Sequence, residues 1–218
     1  MNRPLHILAL DAAFGPACAC LIRQDGKRCF SSTESDTPHS QAVLPMLCSL
    51  LGEAGLNWQD LQLLAVGVGP GSFTGLRVAA ASMAGINAAL GLPVLAVSSL
   101  AITAMQTRTE DPVHVVEDAH AGDAYIGIYQ SGKALVEDRC LSWDKIRLMP
   151  LGTYISHTEP VVKLPGWRLI PFAIPRPQAL AELICGLVGE MVDTDRLPTR
   201  AIPAYLSASQ AEKHACGA

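Results

Sequence analysis

Apolar residues occur along this chain in short runs broken by turn signals, and those breaks predict its elements. Residues 5–10 form a mostly apolar run that stops at Asp11, the pattern of a buried strand. Residues 17–23 and 28–34 follow closely, separated by Phe14-Gly15-Pro16 and Gln24-Asp25-Gly26-Lys27. Connections this short join antiparallel strands, because a parallel crossover needs a dozen residues or more. Asp-Gly between two strand-like runs is in addition a hairpin cue. A helix is predicted over residues 39–55, where Val43, Leu44, Met46, Leu47, Leu50, Leu51 and Ala54 cover more than one helical stripe, so two buried faces are expected. Pro45 falls inside it, tolerable near the first turn and otherwise a kink. A buried strand over 61–68, a helix over 75–90 closed by Gly91 and Pro93, and a strand over 94–97 complete the first hundred residues.

The second half is richer in proline and less regular. Strands are expected at 113–117, 125–130 and 134–140, and a helix at 177–192, while residues 143–175 and the tail from 207 receive no element. The polar stretch Thr107-Arg108-Thr109-Glu110-Asp111-Pro112 marks the expected boundary between an N-terminal lobe, residues 1–106, and a smaller C-terminal lobe, residues 107–218.

Composition narrows the function classes. With 218 residues, half of them hydrophobic, the chain has ample material for a core and is not intrinsically disordered. A formal net charge of −4 argues against a basic nucleic-acid clamp. The seven cysteines are scattered without a C-x-x-C, so free thiols in a reducing compartment are expected rather than disulfides or zinc. No run is long and apolar enough for a membrane span, and the N-terminal run lacks a signal-peptide pattern. A soluble, cytoplasmic protein is expected.

The most informative segment is Gly69-Pro70-Gly71-Ser72-Phe73-Thr74-Gly75-Leu76-Arg77, between the fourth strand and the second helix. Glycines permit a sharp turn and close backbone approach, and a helix N-terminus offers N–H groups to an anion. Ser72 or Thr74 could cap that helix. A plain strand-to-helix turn would use the same residues. A Walker loop is excluded because no Lys follows Gly75, and a dinucleotide fingerprint because the loop follows the fourth strand with the wrong glycine interval. The G-x-S-x-G spacing of a nucleophile elbow is also absent.

Together with Leu8-Ala9-Leu10-Asp11 and His39-Ser40-Gln41 with Leu44-Pro45, this loop resembles the TsaB (YeaZ) family, and Asp118-Ala119 with Tyr125 downstream is similar to that family's Asp-Ala-Arg segment. The resemblance is good over roughly the first 130 residues and poor beyond them. It implies an α/β, actin-like (ASKHA, ribonuclease H-like) fold, two lobes with mixed β-sheets flanked by helices. It also implies a role in forming threonylcarbamoyladenosine next to the tRNA anticodon, as non-catalytic partner of the catalytic subunit TsaD. Other implied partners are a TsaE-type ATPase in the full complex, a second copy of the chain when alone, and tRNA only indirectly.

Actin-like ATPases hold metal and phosphate with an Asp and nearby hydroxyls after the first strand; here Ala12 and Ala13 follow Asp11, and methyl groups cannot ligate. The catalytic subunit carries a metal-binding His-x-x-x-His whose equivalents here are Ser99 and Thr103, hydroxyls poorly suited to a transition metal. His39, His114, His120 and His157 stand at no ligand spacing, and His120 replaces the family's Arg. No catalytic residue, metal or cofactor is therefore expected. Residual ATP or ADP binding is left open at a nucleotide-like site of Asp11, Gly69, Gly71, Ser72, Thr74, Gly75 and Asp118. The alternative is an actin-like ATPase or small-molecule kinase acting on its own with Asp11, the loop and Asp118. The partner interface is expected on the two apolar helices, at Val43, Met46 and Leu50 of the first and Arg77, Ala81, Ala84 and Ala88 of the second, which has no charge after Arg77.

Overall fold

The computed structural model describes residues 5–157, 163–189, 196–204 and 206. Three strands open the chain, β1 (Ile7–Asp11), β2 (Cys18–Ile22) and β3 (Arg28–Ser32), joined as antiparallel hairpins with Leu8 opposite Leu21 and Cys20 opposite Phe30. Helix α1 (His39–Glu53) leads to β4 (Leu63–Gly67), helix α2 (Phe73–Leu90) to β5 (Val94–Val97), and β4 and β5 join β1 in parallel. The first sheet therefore runs β3-β2-β1-β4-β5.

After helix α3 (Ser99–Met105), the meander β6 (Val113–Asp118), β7 (Asp123–Gln130) and β8 (Lys133–Ser142) begins a second sheet. The short helix α4 (Trp143–Arg147) precedes β9 (Thr153–Ile155) and β10 (Arg168–Leu169), which extend that sheet in parallel to the order β10-β9-β6-β7-β8. Helix α5 (Arg176–Gly189) ends the described elements; residues 190–192 of the helix expected over 177–192 lie outside the described residues. Two mixed five-stranded sheets flanked by helices are the expected α/β architecture.

Strand periodicity explains the layers. β1, β2 and β4 are buried at every position, so both faces of the first sheet must be covered. One face, with Leu8, Leu10, Leu21 and Leu64, packs on Val43, Leu47 and Leu50 of α1 and Ala79 and Met83 of α2. The other, with Ile7, Ala9, Cys20 and Ala65, packs on Leu100 and Ile102 of α3 and Leu180, Leu183 and Ile184 of α5, in a core continuous with Val113, Val115 and Tyr125 of the second sheet. A third cluster, Val116, Ile126, Trp143, Ile146 and Tyr154, covers the far side of the second sheet.

Some local expectations shift. The second helix begins at Phe73 rather than Gly75, because Ser72 caps it. It ends at Gly91, whose left-handed φ of 64° closes the helix without a Cβ clash. Pro45 sits mid-helix on the exposed side of α1, where water can take the carbonyl its missing N–H leaves free. Among the described residues, no helix is long and apolar enough to cross a membrane.

Candidate functional site

The turn from β4 into α2 is fastened from both sides. Ser72 Oγ accepts from the Gly75 N–H at 3.3 Å, while the Ser72 N–H donates to the Ala13 carbonyl at 2.8 Å. The Gly69 N–H donates to Ser99 Oγ at 3.1 Å, and the Ser99 N–H returns a bond to the Gly69 carbonyl at 2.8 Å. The backbone donors of residues 69, 72 and 75 are thus engaged inside the protein, and Thr74 is exposed beside the cap. A Cβ on Gly71 would lie 2.6 Å from Ala13 Cβ and 2.7 Å from its carbonyl oxygen. Gly71→Val is therefore expected to cost about 1–3 kcal/mol through overpacking, read as a lowered urea midpoint. An unchanged midpoint would mean the turn can lift off residue 13.

Asp11, at the end of β1, is fully buried. Its Oδ2 accepts from Arg176 Nε at 2.9 Å and lies 2.8 Å from Arg176 Nη2, and its Oδ1 accepts from Ser99 Oγ at 2.6 Å. Arg176 donates also to Thr103 Oγ1 at 2.8 Å and to the Ser99 carbonyl at 3.0 Å. Ser99 and Thr103, one helical turn apart on α3, thus flank a guanidinium. Asp11, expected in a nucleotide-like site, here faces Arg176 and Ser99. Both its oxygens serve neighbours inside the chain, Ala12 and Ala13 contribute methyls, and a second cation on the same buried carboxylate would be repelled by the first. The residues present do not fit a metal–nucleotide group.

The cluster continues into the second half of the chain. His157 Nε2 lies 3.3 Å from Arg176 Nη1 and 3.0 Å from Gln106 Oε1, while Glu117 Oε1 accepts from His157 Nδ1 at 2.7 Å. The His157 ring stacks on Phe14 at 5.6 Å and packs against Phe172 at 4.9 Å. Asp118 makes its contacts in its own turn instead: its Oδ1 accepts from the His120 N–H at 3.1 Å, and its Oδ2 lies 3.0 Å from the His120 imidazole. Sequence reasoning missed Arg176, Glu117 and His157. Arg176 and Asp11 are 165 positions apart, and no local pattern links them.

A second polar link joins the sheets beside α3. Ser98 caps α3 through the N–H groups of Leu100 and Ala101, and donates to Asp138 Oδ2 at 2.6 Å; the Tyr129 hydroxyl donates to Asp138 Oδ1. Burial lifts the Asp138 carboxyl above the usual 3.8 despite these two donors. Because the folded protein holds this proton more tightly than the unfolded chain, its contribution to stability is full below 3.8 and is lost as pH rises through the folded-state value. Relative to Asp138→Asn, the wild type is expected to lose stability as pH climbs from acid toward neutral, in urea titrations across that range. Parallel pH profiles for the two proteins would show a carboxyl as solvated as in the unfolded chain.

The paired helices on the opposite face of the first sheet present a different surface. Arg77, Ala81, Ala84 and Ala88 of α2 are all exposed along one stripe, with Arg77 stacked 3.7 Å over the Phe73 ring. Val43, Met46 and Leu50 of α1 are not available to a partner: they are buried in this chain's own core, because α1 must cover the sheet with that stripe. The outward side of α1 carries Gln41, Leu44, Pro45, Cys48, Ser49 and Gly52, with Leu44 half exposed.

Known proteins place this geometry. A family model described as "TsaD: tRNA N6-adenosine threonylcarbamoyltransferase" matches residues 33–157, more than half of the chain. The tRNA threonylcarbamoyladenosine biosynthesis protein TsaB of Bacillus subtilis is 33% identical over 134 residues, covering 61% of this chain and 58% of that protein. TsaB of Escherichia coli is 33% identical over 129 residues, covering 58% and 55%. An uncharacterized protein of Mycobacterium leprae is 37% identical over 130 residues, covering 58% of this chain and 36% of that one. The matched region thus spans between about a third and three-fifths of these curated relatives. The solved structure of YeaZ from Pseudomonas aeruginosa superposes with a TM-score of 0.71 at 26% identity, covering 93% of this chain and all of that one. A second structure, of a protein described as similar to peptidase YEAZ from P. aeruginosa, gives 0.73 at 27% identity with the same coverage. With the two mixed five-stranded sheets and the Gly-rich loop in place, the chain belongs to the TsaB (YeaZ) group of this threonylcarbamoyltransferase family.

Proposed function

We propose that this chain is a non-catalytic subunit of the bacterial assembly that forms threonylcarbamoyladenosine next to the tRNA anticodon. It binds and supports a TsaD-type catalytic subunit, with a TsaE-type ATPase in the full complex and tRNA reached through its partners. The observation that carries the reading is the state of Asp11: the carboxylate that would hold a metal–phosphate is paired with Arg176 and Ser99. The outward stripe of α2, uncharged after Arg77, supports a helix-on-helix contact beside α1, because small side chains let another helix approach closely. The same surface would serve a homodimer when the chain is alone, in competition with the heterodimer.

The test is co-purification with the TsaD-type subunit of the same bacterium, combined with ATPase and transferase assays on each protein alone and together. The isolated chain is expected to show no metal-dependent turnover, and modification of tRNA by the assembly to require it. ATP turnover by the chain alone, abolished by Asp11→Asn, would instead establish the ATPase or kinase alternative.

A further inference from the structure

We propose that Arg176 is the resident cation of the buried polar cluster between the two sheets, a guanidinium held in cis in place of any metal–phosphate group at Asp11, and a bolt that ties the sheets together. This deepens the non-catalytic reading and rests on it for its purpose, though not for its geometry.

The arginine is out of place in its own helix. It opens α5, where the positive end of the helix dipole disfavours a cation, so helix chemistry does not account for it. Its surroundings do. The side chain is 8% exposed, and each guanidinium nitrogen faces a defined group: Nε and Nη2 the Asp11 carboxylate, Nη2 also the Ser99 carbonyl, and Nη1 the Thr103 hydroxyl and the His157 ring. The Phe14 ring lies 5.4 Å from its central carbon, within cation–π range. A planar, forked cation with five donors suits this constellation better than a spherical ion does.

The groups around Arg176 come from β1, α3 and the segment after β9, so one side chain ties α5 to both sheets. Withdrawing it would strand a fully buried carboxylate, and introducing a metal would place two cations on that carboxylate. The cluster is therefore closed to a metal–nucleotide group by occupation as well as by missing ligands. A tie of this kind between the sheets suits a rigid platform for a partner.

The experiment uses thermal unfolding of the full chain and its Arg176→Ala variant. The variant should melt about 10 °C lower, as expected for a broken buried pair in a chain of this size. Guanidinium chloride at about 20 mM, far below denaturing levels, should recover a substantial part of that loss where equal sodium chloride does not. The wild type should respond neither to this addition nor to magnesium with ATP. A magnesium–ATP shift in the wild type, an unchanged melting point in the variant, or failure of guanidinium to exceed sodium would each overturn the proposal.

A readout on the wild type covers the case in which the variant does not fold. The Arg176 Nε–H, identified by its disappearance in Arg176→Lys, should exchange with water far more slowly in NMR spectra than the Nε–H of exposed arginines. Exchange at the exposed rate would overturn the proposal. Failure of the wild type to capture its TsaD-type partner would defeat the proposed function and leave the bolt standing. Loss of the guanidinium response with capture intact would do the reverse.

Discussion

Asp11→Asn is expected to destabilise the protein by about 3–5 kcal/mol, the range for removing one partner of a buried ion pair. The amide keeps the size and shape of the carboxylate, so no cavity forms and the loss is electrostatic. Arg176 would keep its charge beside neutral groups, the new amide, the Ser99 carbonyl, the Thr103 hydroxyl and the His157 ring, with no other carboxylate bonded to it among the described residues. Urea unfolding gives the measurement, with an unchanged slope and a lowered midpoint. Replacing both partners, as Asp11→Asn with Arg176→Met, should recover most of the loss, because it removes the stranded charge and fills the space with apolar volume. A single variant as stable as the wild type would mean that water reaches the pair.

Ala84→Glu is expected to weaken partner capture by about 100-fold or more while shifting stability by less than about 0.5 kcal/mol. Residue 84 lies mid-way along the exposed stripe of α2, so the new carboxylate points into water in the free protein. In a complex it would be desolvated against a close-packed helix with no cation supplied by α2 after Arg77. Ala81→Glu and Ala88→Glu probe the same stripe a turn to either side. Met46→Glu is the contrasting control, because it buries a charge in the core and should unfold the protein. Undiminished capture by all three alanine variants, measured by titration calorimetry or pull-down, would place the interface elsewhere.

Sequence periodicity reached the strands and long helices because each is decided by its own residues. The nearly unbroken apolar runs of β1 and β4 read as buried strands on their own residues, and Asp25-Gly26 marks the hairpin between β2 and β3. It failed where the decision belongs to distant residues. Nothing near Thr153 or Arg168 announces β9 and β10, two very short strands aligned by pairing with β6 and with each other. On α1, an apolar pattern covering several stripes could not say which faces inward: Val43, Met46 and Leu50 turn to the sheet and Leu44 to solvent, a difference of one residue, or 100° of helix. At the site, Asp11, Ser99 and Thr103 were legible as positions of interest, yet their meaning depends on Arg176, which arrives from the far end of the chain.

The cover that α5 lays over the first sheet also bears on how the protein is made. Roughly 80 residues separate the end of β5 from the start of α5, so a ribosome adding about 5–20 residues per second leaves Ile7, Ala9, Cys20 and Ala65 incompletely sheltered for about 4–16 s. Until then the nascent chain offers an apolar sheet face to chaperones. The N-terminal half cut free at residue 106 would keep α3 but never gain α5, leaving part of that face open permanently, a state prone to clump rather than to fold.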